Sequence, residues 1–297
     1  MEILQPLADL PALFIGTCVL FGLLVGSFLN VVIHRIPVMM DNEFRHECAL
    51  MSDAEAPPPP PFNLIVPSSR CPNCQAPITA VQNIPVVSWL ALGRKCANCK
   101  TPISARYPSV ELATGLLSGF VAWHFGFSGL TFAALLFTWM LIALTMIDFD
   151  TQFLPDALTY PLLWLGLIVS LWHPAWAEGA SPVTPRDAII GAVAGYLSLW
   201  SVYWAFKLLT GKEGMGYGDF KLFAALGAWL GWPMLLPIIL FASGVGAVFG
   251  LVIMFRQKRG KDTPMAFGPF LAIAGWLAMI WGHDVIDGYL RLFTPAG

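Results

Sequence analysis

The 297-residue sequence has few charged residues, and their scarcity excludes most classes of soluble protein. Only 11% of the residues are Asp, Glu, Lys or Arg, whereas 57% are hydrophobic and the mean hydropathy is +0.69. Soluble domains carry about 25% charged residues. No basic stripe is present either, so we expect no nucleic-acid partner. The composition predicts an all-α polytopic membrane protein in contact with membrane lipid.

The N-terminal sequence also lacks the features of a cleaved signal peptide. Glu2 and Asp9 precede the first apolar run, no Lys or Arg does, and no small-residue cleavage site follows the run. We therefore expect this run to be a retained membrane helix.

Long apolar runs are abundant, and eight of them approach the length needed to cross a bilayer. They cover residues 11–33, 109–127, 129–147, 154–173, 187–207, 220–232, 234–255 and 265–282. We therefore predict about eight transmembrane helices. Glycine groups inside the runs, Gly191 with Gly195 and Gly244 with Gly246 and Gly250, indicate close helix packing.

The basic residues are divided unevenly between the two sets of loops. The loops after the first, third, fifth and seventh runs, together with the run ends that border them, contain Arg35, Arg45, Arg70, Arg94, Lys95, Lys100, Arg106, Lys207, Lys212, Lys221, Arg256, Lys258, Arg259 and Lys261. Of the 16 basic residues, only Arg186 and Arg291 fall on the other side. Because cytoplasmic loops are rich in Lys and Arg, this division predicts that both termini lie outside and residues 34–108 in the cytoplasm.

Residues 34–108 form the one sizeable polar segment of the sequence. It contains PPPPP at 57–61, which predicts a polyproline II spacer or a solvated insertion. With so few aliphatic residues, a small domain needs a covalent or metal cross-link for stability. We predict three parts: a first membrane helix (1–33), a cytoplasmic cysteine-rich domain (34–108) and a seven-helix membrane domain (109–297).

Four of the six cysteines form a short internal repeat in that segment. CPNCQAPI at 71–78 and CANCKTPI at 96–103 share the pattern C-x-N-C-x-x-P-I, with 21 residues between the two C-x-x-C pairs. The four are Cys71, Cys74, Cys96 and Cys99. Two such pairs complete the tetrahedral thiolate set of a structural zinc ion, with no position open for catalysis. Disulfides and a redox C-x-x-C are alternatives that a cytoplasmic location and the lack of a βαβ pattern disfavour. Cys18 and Cys48 are expected to be ordinary thiols.

Carboxylates occur where two apolar runs meet the predicted cytoplasmic face. TMIDFDTQFLPD contains Asp148, Asp150 and Asp156, and GMGYGDFK contains Asp219. Asp148 directly follows LIALTMI, so it is the deepest acid of the first group. Acidic groups at membrane depth are costly and usually face the interior of the helix bundle.

Two such carboxyl groups close together could act as an aspartic-protease dyad, one ionised and one protonated. Gly216 and Gly218 fit this hypothesis, since a backbone without side chains can bend and admit an extended peptide. Helix capping explains Asp219 equally well, and we expect Asp150 and Asp156 to be loop or capping residues. Lys221 is either a membrane anchor or a group that tunes Asp219. An ion- or proton-coupled transporter is an alternative function for the acids, and an inactive zinc-bearing membrane scaffold is a third possibility.

Five motifs in order give the chain a family resemblance. They are GSFLNVVIHRIP (26–37), the paired C-x-x-C motifs, RYPSVELATG (106–115), IDFDTQFLPD (147–156) and GYGDFKL (216–222). The chain resembles the type IV prepilin peptidases, which are intramembrane aspartyl proteases of the G-x-G-D type. The resemblance implies that Asp148 and Asp219 are the catalytic acids and that the four repeat cysteines bind zinc. One departure is Arg94, which stands two residues before the third cysteine, where family members often have Gly.

The resemblance also implies the reaction, the partners and the location. An enzyme of this kind cleaves the leader of type IV prepilins and pseudopilins after Gly, at the cytoplasmic face of the bacterial inner membrane. It then N-methylates the new N-terminal residue with S-adenosylmethionine. No glycine-rich methyltransferase loop follows a strand in this sequence, so no residues are assigned to the methyl donor. The sequence indicates neither the particular prepilin nor the oligomeric state.

Overall fold

The computed structural model describes residues 5–52, 61–172, 183–257 and 266–293. These residues form ten α-helices: α1 (Gln5–Asp9), α2 (Pro11–Met51), α3 (Val87–Ala91), α4 (Arg106–Phe125), α5 (Gly129–Thr151), α6 (Asp156–Trp172), α7 (Pro185–Thr210), α8 (Tyr217–Leu230), α9 (Leu235–Gln257) and α10 (Gly268–Phe293). Two short 3₁₀ helices cover Val81–Asn83 and Trp232–Met234. Within the described ranges, β pairing is limited to two isolated bridges, Arg70 with Pro77 and Lys95 with Pro102. The all-α class predicted from the sequence is confirmed.

Each of the eight apolar runs falls on one helix, but the predicted number of spans is not confirmed. Five helices are long and apolar enough to cross a membrane: Pro11–Met51, Gly129–Thr151, Pro185–Thr210, Trp232–Phe255 and Gly268–Arg291. Asp156–Leu171 is a shorter apolar helix. With 14 residues, α8 is only about 21 Å long at 1.5 Å per residue, less than the ~30 Å of bilayer hydrocarbon. The chain is thus a multi-pass membrane protein whose shorter helices do not all span by length alone.

The first helix continues well beyond its apolar run. Instead of ending near residue 33, α2 passes through Pro37 and ends at Met51. The first part of the predicted cysteine-rich segment is therefore helical, and the boundary at 33/34 stays a prediction. Of the predicted polyproline spacer 57–61, only Pro61 lies within the described residues.

The chain forms two compact units. The first comprises residues 1–127 and 134–139, and the second comprises residues 128–133 and 140–297. In the first unit, α2 and α4 approach closely because small residues face each other. A methyl group added to Gly26 would lie 2.7 Å from Cα of Glu111, and one added to Gly115 would lie 2.9 Å from the side chain of Leu23. The sequence motifs of α2 and α4 thus meet in one helix pair.

In the second unit, α7 and α8 pack through their glycines as predicted for Gly191 and Gly195. A methyl group on Gly191 would overlap the backbone of Gly227, and one on Gly195 would lie 2.7 Å from the carbonyl oxygen of Phe223. The packing of α7 and α8 holds α8, the helix that begins with GYGD, against a long membrane helix.

The packing prediction is wrong for Gly244, because a methyl group added there would have no atom of the described residues within 4 Å.

Candidate active site and metal centre

Asp148 lies near the C-terminal end of α5, within the second unit. Its helix ends at Thr151, where Gln152 adopts the left-handed conformation with φ 54°. The residue is 4% exposed, and its Oδ2 atom has no hydrogen-bond partner among the described residues. A buried carboxylate oxygen without a partner is costly.

Asp219 lies in the first turn of α8 and is 7% exposed. Gly216 precedes the helix, and its backbone N–H donates to Oδ2 of Asp219 at 3.3 Å. In return, the N–H of Asp219 donates to the carbonyl oxygen of Gly216 at 3.2 Å. The carboxylate therefore stabilises the start of the helix, as the capping alternative predicted, although it does so from inside the first turn.

The second unit brings the two acids close enough for their charges to interact directly. They come from α5 and α8 and are separated by 71 positions in the sequence. Leu154, from the loop after α5, packs against Gly218. A methyl group on Gly218 would lie 2.7 Å from Cβ of Leu154, whereas one on Gly216 would make only an ordinary contact at 3.7 Å. Gly218 is thus needed for close packing, and the peptide-admitting role of both glycines stays a prediction.

An ion pair beside the acids was not predicted. Lys221 Nζ donates to both carboxylate oxygens of Asp156, at 2.6 and 2.8 Å. The same Nζ lies 5.0 Å from the ring centre of Tyr160. Lys221 is two residues after Asp219, and Asp156 begins α6, so the pair joins the starts of α6 and α8. Asp150, in contrast, is exposed.

The four repeat cysteines form a compact cluster in the first unit. All four Sγ atoms lie within 4.8 Å of one another. Cys71 and Cys99 are 3.7 Å apart, and Cys74 and Cys96 are 4.0 Å apart. A zinc ion with bonds of about 2.3 Å to four sulfurs requires sulfur–sulfur distances of about 3.8 Å. The cluster can therefore hold a metal ion such as zinc, and none of the six cysteines forms a disulfide.

The two halves of the cysteine repeat have the same local structure. The residue after each second cysteine, Gln75 and Lys100, has a positive φ of 57° and 60°. Its N–H donates to the carbonyl oxygen of the first cysteine of its pair, at 2.9 and 3.1 Å. This turn directs both thiols of a pair to one side. The repeated sequence thus produces a repeated structure.

The asparagine of each C-x-N-C motif contacts a sulfur of the other pair. Asn73 donates to Cys99 Sγ at 3.7 Å, and Asn98 donates to Cys74 Sγ at 3.6 Å. Hydrogen bonds from Thr101, together with the one from Asn73, lower the pKa of Cys99 to about 5. This thiol is therefore a thiolate at neutral pH, the form that binds metal. The sequence repeat includes both asparagines, but it did not predict that each would contact a sulfur of the other pair.

Two buried charged residues attach the cysteine-rich segment to helices of the first unit. Arg35 of α2 donates to the carbonyl oxygens of Asn63 and Pro67. Glu111 of α4 accepts the N–H of Val86 at 2.7 Å. Both residues lie in motifs that carry the family resemblance, yet neither was identified as structural from the sequence.

Comparison with known proteins connects this arrangement with a family. Residues 20–125 match the bacterial peptidase A24 N-terminal domain, and residues 135–251 match the type IV leader peptidase family. The chain is 55% identical to a prepilin leader peptidase/N-methyltransferase of Stutzerimonas stutzeri, over 96% of each chain. The chain belongs to the type IV leader peptidase family. Proteins of the same name from Aeromonas hydrophila (53% identity, 99% of this chain and 100% of the relative) and Pseudomonas aeruginosa (52%, 98% of both) are also similar. No solved structure matches the chain significantly.

Membership of the type IV leader peptidase family confirms the resemblance seen in the sequence. It gives no support to the transporter alternative. The structure also accounts for the departure at Arg94. This residue has a positive φ of 64°, the conformation that favours glycine, and its guanidinium lies 4.9 Å from the ring of Trp89. The backbone shape is thus compatible with the glycine that the family resemblance led us to expect.

Proposed function

We propose that the protein cleaves the leader peptides of type IV prepilins and related pseudopilins after Gly, using Asp148 and Asp219, and N-methylates the new N-terminal residue. The observation that carries this proposal is the pair of buried, interacting carboxyl groups, one of which has an oxygen without a partner among the described residues. The names of the full-length relatives support the two activities.

The geometry supports a hydrolysis in which both acids take part. The ionised member of the pair accepts a proton from water while the water oxygen attacks the carbonyl carbon of the scissile bond. The protonated member donates a hydrogen bond to the carbonyl oxygen. When the C–N bond breaks, the dyad returns a proton to the leaving amine. One water is consumed, and a carboxylic acid and an amine are formed.

The cysteine cluster supports a structural zinc ion held by Cys71, Cys74, Cys96 and Cys99. Four thiolates fill a tetrahedral coordination shell, so the bound ion would cross-link the segment without contacting substrate.

N-methylation requires S-adenosylmethionine as the methyl donor. When bound, this donor would supply the methyl group that the new N-terminal amine receives.

The charge distribution supports a location in the bacterial inner membrane with the cysteine-rich segment in the cytoplasm. Of the 16 basic residues, 14 are assigned to the cytoplasmic side of the membrane and two to the opposite side. Asp148 and Asp219 belong to the same side by this assignment, so cleavage would occur at the cytoplasmic membrane face.

One experiment tests both activities together. Purified protein is incubated with a synthetic prepilin segment in detergent micelles, with and without S-adenosylmethionine, and the products are identified by mass spectrometry. We expect cleavage after Gly in both samples, and a gain of one methyl group only when the donor is present. Uptake of an ion or solute into proteoliposomes without any cleavage would instead favour the transporter.

A further inference from the structure

The start of α10 lies directly beside Asp148, although its AFGPFLA sequence (266–272) was not assigned a role. A methyl group placed on Gly268 would lie 2.6 Å from Oδ2 of Asp148 and 3.1 Å from Cγ of the same residue. Real side chains essentially never approach an oxygen atom so closely. Any residue other than glycine would therefore press on the carboxylate.

Space, rather than backbone shape, explains why position 268 is glycine. Gly268 is not among the residues with positive φ, so an L-amino acid could adopt its backbone conformation. The residue is buried at the first position of α10. The neighbouring atoms are those of Asp148 and, at 3.1 Å, Cδ1 of Leu154.

One backbone donor at this helix start, the N–H of Gly268, interacts with Asp148. Pro269 has no N–H, and the N–H groups of Phe270 and Leu271 both donate to the carbonyl oxygen of Phe267, at 3.1 and 3.2 Å. The N–H of Gly268 is left outside the helical hydrogen bonds and interacts with the Asp148 carboxylate. The carboxylate is thus held from the side of α10.

Oδ2 of Asp148 nevertheless has no partner in the part of the chain that the structure describes. Buried polar atoms are nearly always hydrogen-bonded, to protein or to water. We propose that Gly268 is a positioning residue for peptide hydrolysis, because its missing side chain gives the Asp148 carboxylate the space that it occupies against the start of α10. This inference rests on the proposed peptidase function and adds a third element, the start of α10, to its active site.

Gly268→Ala tests the inference against a matched control. We expect kcat for prepilin cleavage to fall at least about 100-fold, since displacing a reacting group by about 1 Å has an effect of that size. KM should stay unchanged because the added methyl group presses on Asp148 and Leu154 and removes no contact to the peptide. The control is Gly244→Ala in α9, where a methyl group meets no atom of the described residues within 4 Å, and it should cleave like wild type.

Two further measurements separate positioning of the Asp148 carboxylate from a merely structural role. Gly268→Ala should still methylate a pilin segment supplied already cleaved, and its melting temperature should stay within about 3 °C of the control. The same substitution should lose the same factor in a Leu154→Val background, which removes Cδ1 of Leu154 but leaves Asp148 in place. Loss of methylation with cleavage, or relief of the defect by Leu154→Val, would overturn the inference.

The result also distinguishes this inference from the proposed function. If wild type and Gly244→Ala cleave prepilin and Gly268→Ala cleaves equally well, only the role of Gly268 is refuted. If wild type does not cleave any prepilin segment, the proposed function itself fails.

Discussion

At the scale of single residues, Asn73 and Asn98 make the same contact on opposite halves of the cysteine repeat. Each donates to a sulfur of the other C-x-x-C pair, so each half orients a ligand of its neighbour. Residues that donate to metal ligands commonly affect metal affinity by 10- to 100-fold. Their shared position in the two halves of the repeat therefore has a physical reason, namely the contact of each asparagine with a sulfur of the other pair.

We predict that Asn73→Ala weakens zinc binding by about 10-fold or more, because Cys99 loses a donor that stabilises its thiolate. The measurement is competition for zinc with a chelator of known affinity, followed by metal analysis. Asn83→Ala, at an exposed asparagine of the same segment, is the control. Equal zinc affinity in the two variants would show that the contact from Asn73 to sulfur has no such role.

Sequence reasoning identified the residues whose chemistry is distinctive by type. The four cysteines and the two acids could be selected because thiols in paired spacing and carboxylates in apolar surroundings are rare. Glu111 and Arg35 were missed because a single charged residue near an apolar run usually lies in solvent. Their roles depend on the backbone groups of Val86, Asn63 and Pro67, which no sequence pattern brings next to them.

At the scale of secondary-structure elements, the Lys221–Asp156 ion pair joins the starts of α6 and α8. The partners are separated by 65 positions, and the side chain of Asp156 is 46% exposed. Partly exposed ion pairs contribute about 1 kcal/mol or less to stability. Because Lys221 is only two residues after Asp219 in the same helix, we expect the pair to affect the position of the acid more than the stability of the fold.

We predict that Lys221→Met lowers the stability by only about 1 kcal/mol but lowers kcat for cleavage about 10-fold. Asp156→Asn should have a similar effect, and the double variant should be little worse than either single variant because the same contact is lost. Thermal unfolding in detergent and cleavage kinetics provide the measurements. Fully additive losses in kcat would mean that the two residues act independently.

Helix positions were predictable from hydropathy, but helix ends and spans were not. Each apolar run became a helix because lipid offers the backbone no other hydrogen-bond partners. The polar continuation of α2 to Met51 has no apolar signal, so it was missed. Hydropathy also could not distinguish a short packed helix such as α8 from a spanning one, because glycine-mediated packing against α7 buries it within protein.

At the scale of the whole molecule, the distribution of basic residues makes a topology prediction. In spheroplasts, we expect a membrane-impermeant maleimide to leave the wild-type chain unlabelled, because the proposed orientation puts the exposed Cys48 and the cysteine cluster on the cytoplasmic side. Asp284→Cys, at an exposed position near the end of α10, should be labelled without permeabilisation. Labelling of Cys48 in intact spheroplasts would reverse the assigned orientation.

The account depends centrally on Asp148 and Asp219 acting together, and substitution of each acid tests this claim directly. Asp148→Asn and Asp219→Asn keep the size of the side chain but remove the carboxylate. The control is Asp284→Asn, which changes an exposed acid of the same unit. The decisive measurement is mass spectrometry of a prepilin segment after incubation with each purified variant. We predict that the first two variants do not cleave it, while both still methylate a pilin segment supplied already cleaved, and that Asp284→Asn cleaves like wild type. Normal cleavage by either Asp148→Asn or Asp219→Asn would contradict the account.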